Sequence, residues 1–171
     1  MTDKDKKTIA ETNLMAMYYI KKKKEKKEAE TKVKKPRKVN WVARADKAFS
    51  LYIRLRDSQE YDFKYFKCPT CGRVLPFAKA DCSHLWSRTH MGTRYDEENC
   101  HIECSSCNRM KSDHLLYFSE YVRKKIGDQR FELLKVKAHT ICKRSAFEME
   151  QIVNYYKEKT KQLQDGIYKN Q

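Results

Sequence analysis

The sequence predicts an α+β fold, in which a small core of short strands is surrounded by α-helices. Between residues 65 and 111, short apolar stretches alternate with turn residues and with closely spaced cysteines and histidines, a pattern typical of short strands. Apolar residues at helical spacing lie on both sides of that segment. A chain of 171 residues favours one compact unit with tails. We therefore expect a basic arm at 1–40, the core with flanking helices at 41–130 and a C-terminal helical segment at 131–171.

The arm is dominated by positive charge. It contains the run Lys21–Lys24 and a second basic cluster formed by Lys32, Lys34, Lys35, Arg37 and Lys38. Such charge density predicts a disordered segment, although Leu14, Met17 and Tyr18 form a short apolar stripe that favours a helix over 14–29. An arm of this kind could neutralise phosphates and make binding dependent on salt, or it could be a solubilising tail.

The charge of the whole chain narrows the class of partner. The net charge is +15, from 38 basic and 23 acidic residues, and such an excess points to a polyanion, with nucleic acid foremost. No apolar run approaches the roughly 20 residues of a membrane span, and the N-terminus carries lysines where a signal peptide would be apolar. We therefore expect a cytoplasmic protein without a membrane partner.

The pattern of the core predicts one helix and two strands. Phe49, Tyr52 and Ile53 lie at helical spacing between Asp46 and Asp57, with Asp46 placed to cap the first turn. A strand is expected over 74–77 and a second strand over 99–103. Alternation in the second strand places Cys100 and Ile102 on one face and the polar side chains on the other, namely Asn99, His101 and Glu103.

The sequence after residue 111 predicts helices. One helix begins after Ser112 or Asp113 and ends at Gly127, and Asp128 caps a short helix that follows. Ser145 and Glu148 have the spacing of a capping box. The last helix ends near residue 166, and its apolar stripe consists of Met149, Ile152, Val153 and Tyr156.

The cysteines predict a structural metal site. Seven cysteines in a chain without a recognisable secretion signal are more consistent with metal binding than with disulfides. Cys68 and Cys71 form one Cys-x-x-Cys pair, and Cys104 and Cys107 form another. Two such pairs in one small domain can close a tetrahedral Zn²⁺ site, and Gly72 gives the first pair turn freedom. A redox pair and an iron–sulfur cluster are the alternatives.

The segment between the cysteine pairs contains many residues of metal-ligating and phosphate-binding types. Its motifs, taken in order, resemble those of the HNH nucleases that are braced by a pair of zinc knuckles. In this chain they are Cys68-x-x-Cys71, Asp81-Cys-Ser-His84, Asn99 and Cys104-x-x-Cys107-Asn108-x-x-Lys111. They are more similar still to the NinG (Rap) recombination endonucleases of phages, over about residues 42–131. The resemblance implies a zinc-braced ββα-metal (HNH-like) nuclease core. It also implies a structure-selective endonuclease that cuts branched DNA, such as Holliday junctions or D-loops, in a bacterial host.

The resemblance assigns roles to individual residues. His84 would be the base that activates water, since an imidazole titrates near neutral pH. Asp81 and Asn108 would ligate a catalytic Mg²⁺ or Mn²⁺ through oxygen atoms, and Asn99 would orient the loop that carries His84. Ser83 stands where the commoner HNH pattern has a carboxylate or a histidine before the base.

Basic residues supply the predicted DNA contacts, by charge and, for arginine, by a bidentate fork. These are Arg88, Arg94 and Lys111 in the core and Lys35, Arg37 and Lys38 in the arm. The two-fold symmetry of a four-way junction would suit a homodimer, and the apolar stripe of the last helix could supply its interface.

Other interpretations remain open. His84 could be a hydrogen-bonded structural residue, and Asn108 could cap the helix after Cys107. A second zinc site could form from Cys82, His84, Cys100 and His101, in competition with the base role of His84. For the protein as a whole, the alternative is a non-catalytic zinc-braced nucleic-acid-binding protein. Such a protein needs the cysteines and the lysines, but it needs no base paired with a metal ligand.

Overall fold

A computed structural model describes residues 3–32 and 39–169, with side chains described over 14–28 and 39–166. The residues up to Val39 and those from Asn40 onward form two separate units. The first unit holds α1 (Asp3–Lys32), which includes the predicted helical stretch, and its apolar side chains Leu14, Met17 and Tyr18 are exposed. The predicted phosphate contacts of the arm, Lys35, Arg37 and Lys38, lie outside the described residues.

The second unit begins with a helix, continues with two antiparallel hairpins and ends with helices. The first part comprises α2 (Trp41–Arg56), β1 (Tyr65–Lys67), β2 (Val74–Pro76), β3 (Ala80–His84) and β4 (Cys100–Cys104). The helices that follow are α3 (Ser105–Met110), α4 (His114–Ile126), α5 (Asp128–His139) and α6 (Ala146–Lys169). This mixed α and β content, with small sheets, agrees with the predicted α+β class. None of the helices so described is both long and apolar enough to cross a membrane.

The β3–β4 hairpin has two chemically different faces. Its register pairs Ala80 with Cys104 and His84 with Cys100, and directly paired residues of an antiparallel ladder share a face. The cysteine face therefore consists of Ala80, Cys82, His84, Cys100, Ile102 and Cys104. The polar face consists of Asp81, Ser83, His101 and Glu103. The predicted alternation of the second strand is confirmed over residues 100–103.

Helices α2 and α6 cover part of the cysteine face and build the main core. The ring of Tyr156 contacts the rings of Phe49 and Tyr52, and Met149 and Val153 are buried in the same cluster as Cys82 and Cys100. Removing these apolar side chains from water is the main driving force for docking the two helices. Three residues of the α6 stripe, Met149, Val153 and Tyr156, are therefore buried inside the unit and are not available for a homodimer interface, while the homodimer itself stays a prediction.

Helix α2 begins at Trp41 because Asn40 caps it. The side-chain oxygen of Asn40 accepts a hydrogen bond from the backbone N–H of Ala43, at 3.0 Å. The predicted start at Asp46 is wrong, since Asp46 lies inside the helix. Its carboxylate is paired instead with Arg94, a residue of the loop between β3 and β4. This pair ties α2 to that loop.

The later helix ends agree more closely with the sequence patterns. Gly127 ends α4 with a φ of 81°, which glycine adopts without steric cost. The capping box is confirmed, because the N–H of Glu148 donates to Ser145 Oγ (3.2 Å) and the N–H of Ser145 donates to Glu148 Oε2 (2.7 Å). Asp128 is the first residue of α5 rather than its cap, and α6 continues to Lys169, past the predicted end.

Candidate active site

The four knuckle cysteines come together between the two hairpins. The Sγ atoms of Cys68, Cys71, Cys104 and Cys107 all lie within 4.8 Å of one another. The hairpin β1–β2 supplies the first pair, and Gly72 makes its turn with a φ of 69°. The second pair spans the end of β4 and the first turn of α3. This set of four sulfur donors suits zinc, and the cluster could hold a structural Zn²⁺.

Hydrogen bonds support the same cluster. The backbone N–H of Cys104 donates to Cys68 Sγ, and the N–H of Cys107 donates to Cys104 Sγ, each at 3.4 Å. Burial raises the pKa of Cys68 to about 11. Burial also acts to raise the pKa of Cys71, but the hydrogen bond from Arg73 outweighs it and lowers the pKa to about 6. Because the thiolate is the ligand form, zinc binding would release protons from the cluster.

The polar face joins Asp81 and Ser83 of β3 to Asn108 of α3. The Nδ2 group of Asn108 donates to Asp81 Oδ2, and Ser83 Oγ donates to Asn108 Oδ1, both at 3.1 Å. Asn108 lies within α3, whose N-cap residue is Cys104, so the interpretation of Asn108 as a helix cap is wrong. The structure therefore brings the two residues proposed as cation ligands together.

Arg109 occupies the outer side of Asp81. Its Nε and Nη2 groups donate to the two carboxylate oxygens of Asp81, both at 2.7 Å. Burial acts to raise the pKa of Asp81, but the hydrogen bonds from Arg109 and Asn108 outweigh it, so the pKa is below its usual value. Asp81 is therefore a charged carboxylate whose partner is an arginine that is 68% exposed.

These side chains border an open cleft, which we call the Asp81 cleft. Its polar lining consists of Ser50, Arg54, Asp81, Arg88, Asn108 and Arg109. A carboxylate and an amide oxygen are hard ligands of the kind that Mg²⁺ and Mn²⁺ prefer, and the arginines around them could contact phosphate oxygens. The cleft thus combines two oxygen-bearing side chains, Asp81 and Asn108, with a positively charged rim.

His84 lies on the cysteine face, opposite the face that Asn108 contacts. Its Nε2 is 3.2 Å from the carbonyl oxygen of Arg94, and its ring centroid is 6.3 Å from that of Phe49. Burial, with a smaller contribution from the charge of Arg88, lowers the pKa of His84 to about 4. The structure does not bring His84 to Asn108, although the sequence grouped the two residues in one site.

Asn99 is fully buried and holds the loop that follows His84. Its side-chain Oδ1 accepts from the backbone N–H of Trp86 (2.7 Å), and its Nδ2 donates to the carbonyls of Trp86 (2.9 Å) and Thr93 (3.0 Å). A loop-orienting role requires bonds of this kind, because they fix the path of the backbone without contact to a metal.

The three predicted phosphate contacts of the core differ in whether other side chains already engage them. The guanidinium group of Arg94 donates to both carboxylate oxygens of Asp46, at 2.9 and 2.6 Å, so it has a structural partner. Arg88 is exposed at the rim of the Asp81 cleft. Lys111 lies 3.6 Å from Asp113 and over the ring of Tyr117. Arg88 is the one of the three that both lines the cleft and faces solvent.

A polar network that the sequence does not predict surrounds His101 and Glu103, the two β4 side chains of the polar face. Asp57 accepts hydrogen bonds from Arg56 and from the backbone N–H of Ile102, and its Oδ2 is 3.2 Å from His101 Nδ1. The hydroxyl of Thr70 donates to Glu103, and His114 Nδ1 lies 3.2 Å from the same carboxylate. Alternation marked His101 and Glu103 as facing away from the apolar residues, but no local pattern identifies their partners.

The chain was compared with known protein families and proteins. A family model described as Bacteriophage Lambda NinG protein matches residues 2–166. Protein ninG of Salmonella phage P22 is 30% identical over 135 residues, which is 77% of this chain and 61% of the relative. Over the same share of this chain, protein ninG of Escherichia phage 933W is 29% identical and that of Escherichia phage lambda is 28% identical. The chain spans 61–62% of the length of these relatives. No solved structure matches the chain significantly.

Proposed function

The chain belongs to the NinG family of phage lambda-like proteins, and on that premise we propose that it is a metal-dependent DNA endonuclease acting on branched recombination intermediates. The observation that supports the proposal most strongly is the hydrogen-bonded pair of Asp81 and Asn108, which joins a hairpin strand to the following helix. The order β3, β4, α3 is that of a ββα-metal nuclease core. Cleavage of this kind would take place on DNA in the cytoplasm of the bacterial host.

The knuckle cysteines support the proposal by fixing the position of Asn108. Cys107 is buried in the four-cysteine cluster, and Asn108 is the next residue along α3. A zinc ion in that cluster would hold the start of α3 against the end of β4. The Asn108 side chain would then lie beside Asp81, and a turn of its amide group would present Oδ1 to a cation in place of the Nδ2 that donates to Asp81.

The residues of the Asp81 cleft suit phosphodiester hydrolysis. A divalent cation there would polarise the scissile phosphate and stabilise the leaving oxygen. Asp81 would hold the cation after releasing Arg109, which is exposed enough to move. Arg54, Arg88 and the released Arg109 would then bind phosphate oxygens on either side of the scissile bond.

The base role of His84 is the least direct step of the proposal. A pKa of about 4 leaves the imidazole uncharged at neutral pH, so it could accept a proton from water. To reach the face that carries Asn108, its ring must leave the carbonyl of Arg94 and turn toward the Asp81 cleft. His84 is the last residue of β3, and changes of side-chain rotamer on binding a partner are common.

A second candidate function is a zinc-braced DNA-binding protein without nuclease activity. The observation that favours it is the position of His84, which is packed beside Phe49 on the cysteine face. The arginine rim and the net charge of +15 serve either function. The two candidates differ in whether Asp81 and Asn108 matter for a chemical step or only for local structure.

Cleavage of synthetic DNA separates the two candidates. Purified protein is incubated with four-way junctions and with linear duplex, with and without Mg²⁺, beside Asp81→Asn and Asn108→Ala variants. The proposal predicts Mg²⁺-dependent cuts in the junction and a loss of at least about 100-fold in both variants. Asp165→Asn and Asn154→Ala are the matched controls on exposed residues outside the cleft, and both should cleave as the parent does.

Two results would contradict the endonuclease proposal. The first is junction binding in a gel-shift assay without cleavage in Mg²⁺ or Mn²⁺, which would support the binding protein. The second is cleavage that persists in the Asp81→Asn and Asn108→Ala variants, which would place the activity elsewhere. A His84→Gln variant tests the base separately: the proposal predicts loss of cleavage with junction binding retained, and cleavage at the rate of the parent would rule out His84 as the base.

A further inference from the structure

A second group of metal-ligating side chains lies on the cysteine face, apart from the knuckle cysteines. Its members are Cys82, His84 and Cys100, whose ligand atoms all lie within 4.8 Å of one another. Cys82 and His84 alternate along β3, and Cys100 stands directly opposite His84 on β4, so the register of the hairpin brings them together. We propose that these three side chains, with the backbone carbonyl of Arg94, form a second Zn²⁺ site.

The carbonyl oxygen of Arg94 is placed to complete a tetrahedral set. It lies 3.2 Å from His84 Nε2 and 4.0 Å from Cys100 Sγ. Ligands of one tetrahedral zinc ion, with bonds of about 2.0–2.3 Å, stand roughly 3.3–3.8 Å apart. The observed separations are close to that spacing, so small movements of the side chains would let all four donors share one ion.

The chemistry and burial of the group also suit zinc. Cys82 and Cys100 are 4% and 0% exposed, and Phe49 and Tyr95 belong to the same buried cluster. Two thiolates and one Zn²⁺ have no net charge, so the complex avoids the cost of an isolated charge in an apolar core. Thiolate and imidazole ligands favour zinc over hard cations, so Mg²⁺ bound in the Asp81 cleft would not compete for this site.

His101 is not a member of this site, although the sequence suggested it as a fourth ligand. It lies on the polar face, where its Nδ1 contacts Arg56 at 2.8 Å and Asp57 at 3.2 Å. The second zinc site goes beyond the proposed endonuclease and uses His84 differently. An imidazole nitrogen that binds zinc cannot accept a proton, so zinc occupancy and the base role exclude each other in one molecule.

The zinc content of the full chain tests the second site. Protein expressed with added zinc and freed of loosely bound metal by gel filtration should contain about two zinc ions per chain, one in each cluster. Cys82→Ala and Cys100→Ala should each lower the content to about one. Cys142→Ala is the matched control, since Cys142 is partly exposed and lies outside both clusters, and it should leave the zinc content unchanged.

Cobalt substitution of the wild-type chain is a second measurement, and its result does not depend on whether a variant folds. The visible spectrum of Co²⁺ bound by four thiolates differs from that of Co²⁺ bound by two thiolates, one imidazole and one oxygen. Titration of the wild-type chain should therefore show two spectral classes. One zinc per chain in the wild type, one spectral class at saturation, or full zinc content in the Cys82→Ala and Cys100→Ala variants would overturn the second site. None of these measurements depends on DNA cleavage, so they test the second site separately from the proposed cation site at Asp81 and Asn108. A filled second site would rule out His84 as the base but would leave that cation site untouched.

Discussion

Asp57 joins α2 to the β3–β4 hairpin, and its replacement tests what holds the site in place. Its carboxylate accepts hydrogen bonds from Arg56 at 2.8 and 3.0 Å and from the backbone N–H of Ile102 at 2.9 Å. The Asp57 side chain is 5% exposed. Burial acts to raise the pKa of Asp57, but hydrogen bonds with His101 and Arg56 outweigh it and hold the pKa far below its usual value.

Asp57→Ala is expected to lower the free energy of unfolding by about 3–5 kcal/mol. The backbone N–H of Ile102 would lose its partner in the interior, which costs about 1–3 kcal/mol. Arg56, with a side chain 19% exposed, would lose charged hydrogen bonds worth about 1.5–3 kcal/mol. Lys125 is 40% exposed, so water replaces its contact and its contribution is small.

Urea denaturation followed by circular dichroism, with zinc in the buffer, measures this loss. Asp128→Ala is the control, because its carboxylate is 79% exposed and pairs with Arg123 at the surface, and it should change the free energy of unfolding by less than about 1 kcal/mol. A loss of less than about 1.5 kcal/mol in Asp57→Ala would contradict this expectation, since the buried pair would then behave as a surface pair.

Other parts of the chain give further tests. Cys104→Ser, or excess chelator on the parent, should abolish the cooperative urea transition because the zinc cluster joins both hairpins, and an unchanged transition would contradict this. Arg109→Ala should lower the Mg²⁺ concentration for half-maximal cleavage by about two- to five-fold, because its exposed pair with Asp81 competes only weakly with the cation; an unchanged Mg²⁺ titration would count against the cation site. Gly92→Ala should destabilise by about 1–3 kcal/mol, since its Cβ would lie 2.6 Å from a backbone oxygen of α5. Gly166→Ala, in open space, should stabilise α6 by about 0.5–1 kcal/mol, and parallel thermal melts check both signs.

Features with a short repeat or a short spacing could be predicted from the sequence. Three such features depend on residues that are neighbours along the chain. They are the two Cys-x-x-Cys pairs, the alternation from Cys100 to Glu103 and the capping box that starts with Ser145. Local backbone geometry then determines where the side chains point. The four knuckle cysteines could be grouped because two such pairs suit one metal ion.

The features that the sequence did not predict correctly depend on pairs of residues that are distant in sequence. Asp46 was predicted to cap a helix, but its partner Arg94 is 48 residues away, and no local pattern marks that pair. His84 was grouped with Asn108 by residue type and order, whereas strand alternation places it on the opposite face from Asp81 and Ser83. The face of a side chain depends on register, and a single position changes it.

We expect a divalent cation to bind between Asp81 and Asn108. An anomalous difference map tests this site, from crystals of the full chain grown with Zn²⁺ and soaked in Mn²⁺, measured at wavelengths that distinguish the two metals. A manganese peak is expected within coordination distance of the Asp81 carboxylate and of Asn108 Oδ1, with Arg109 displaced. A map with zinc at the cysteines, no manganese in the Asp81 cleft and Arg109 still paired with Asp81 would contradict it.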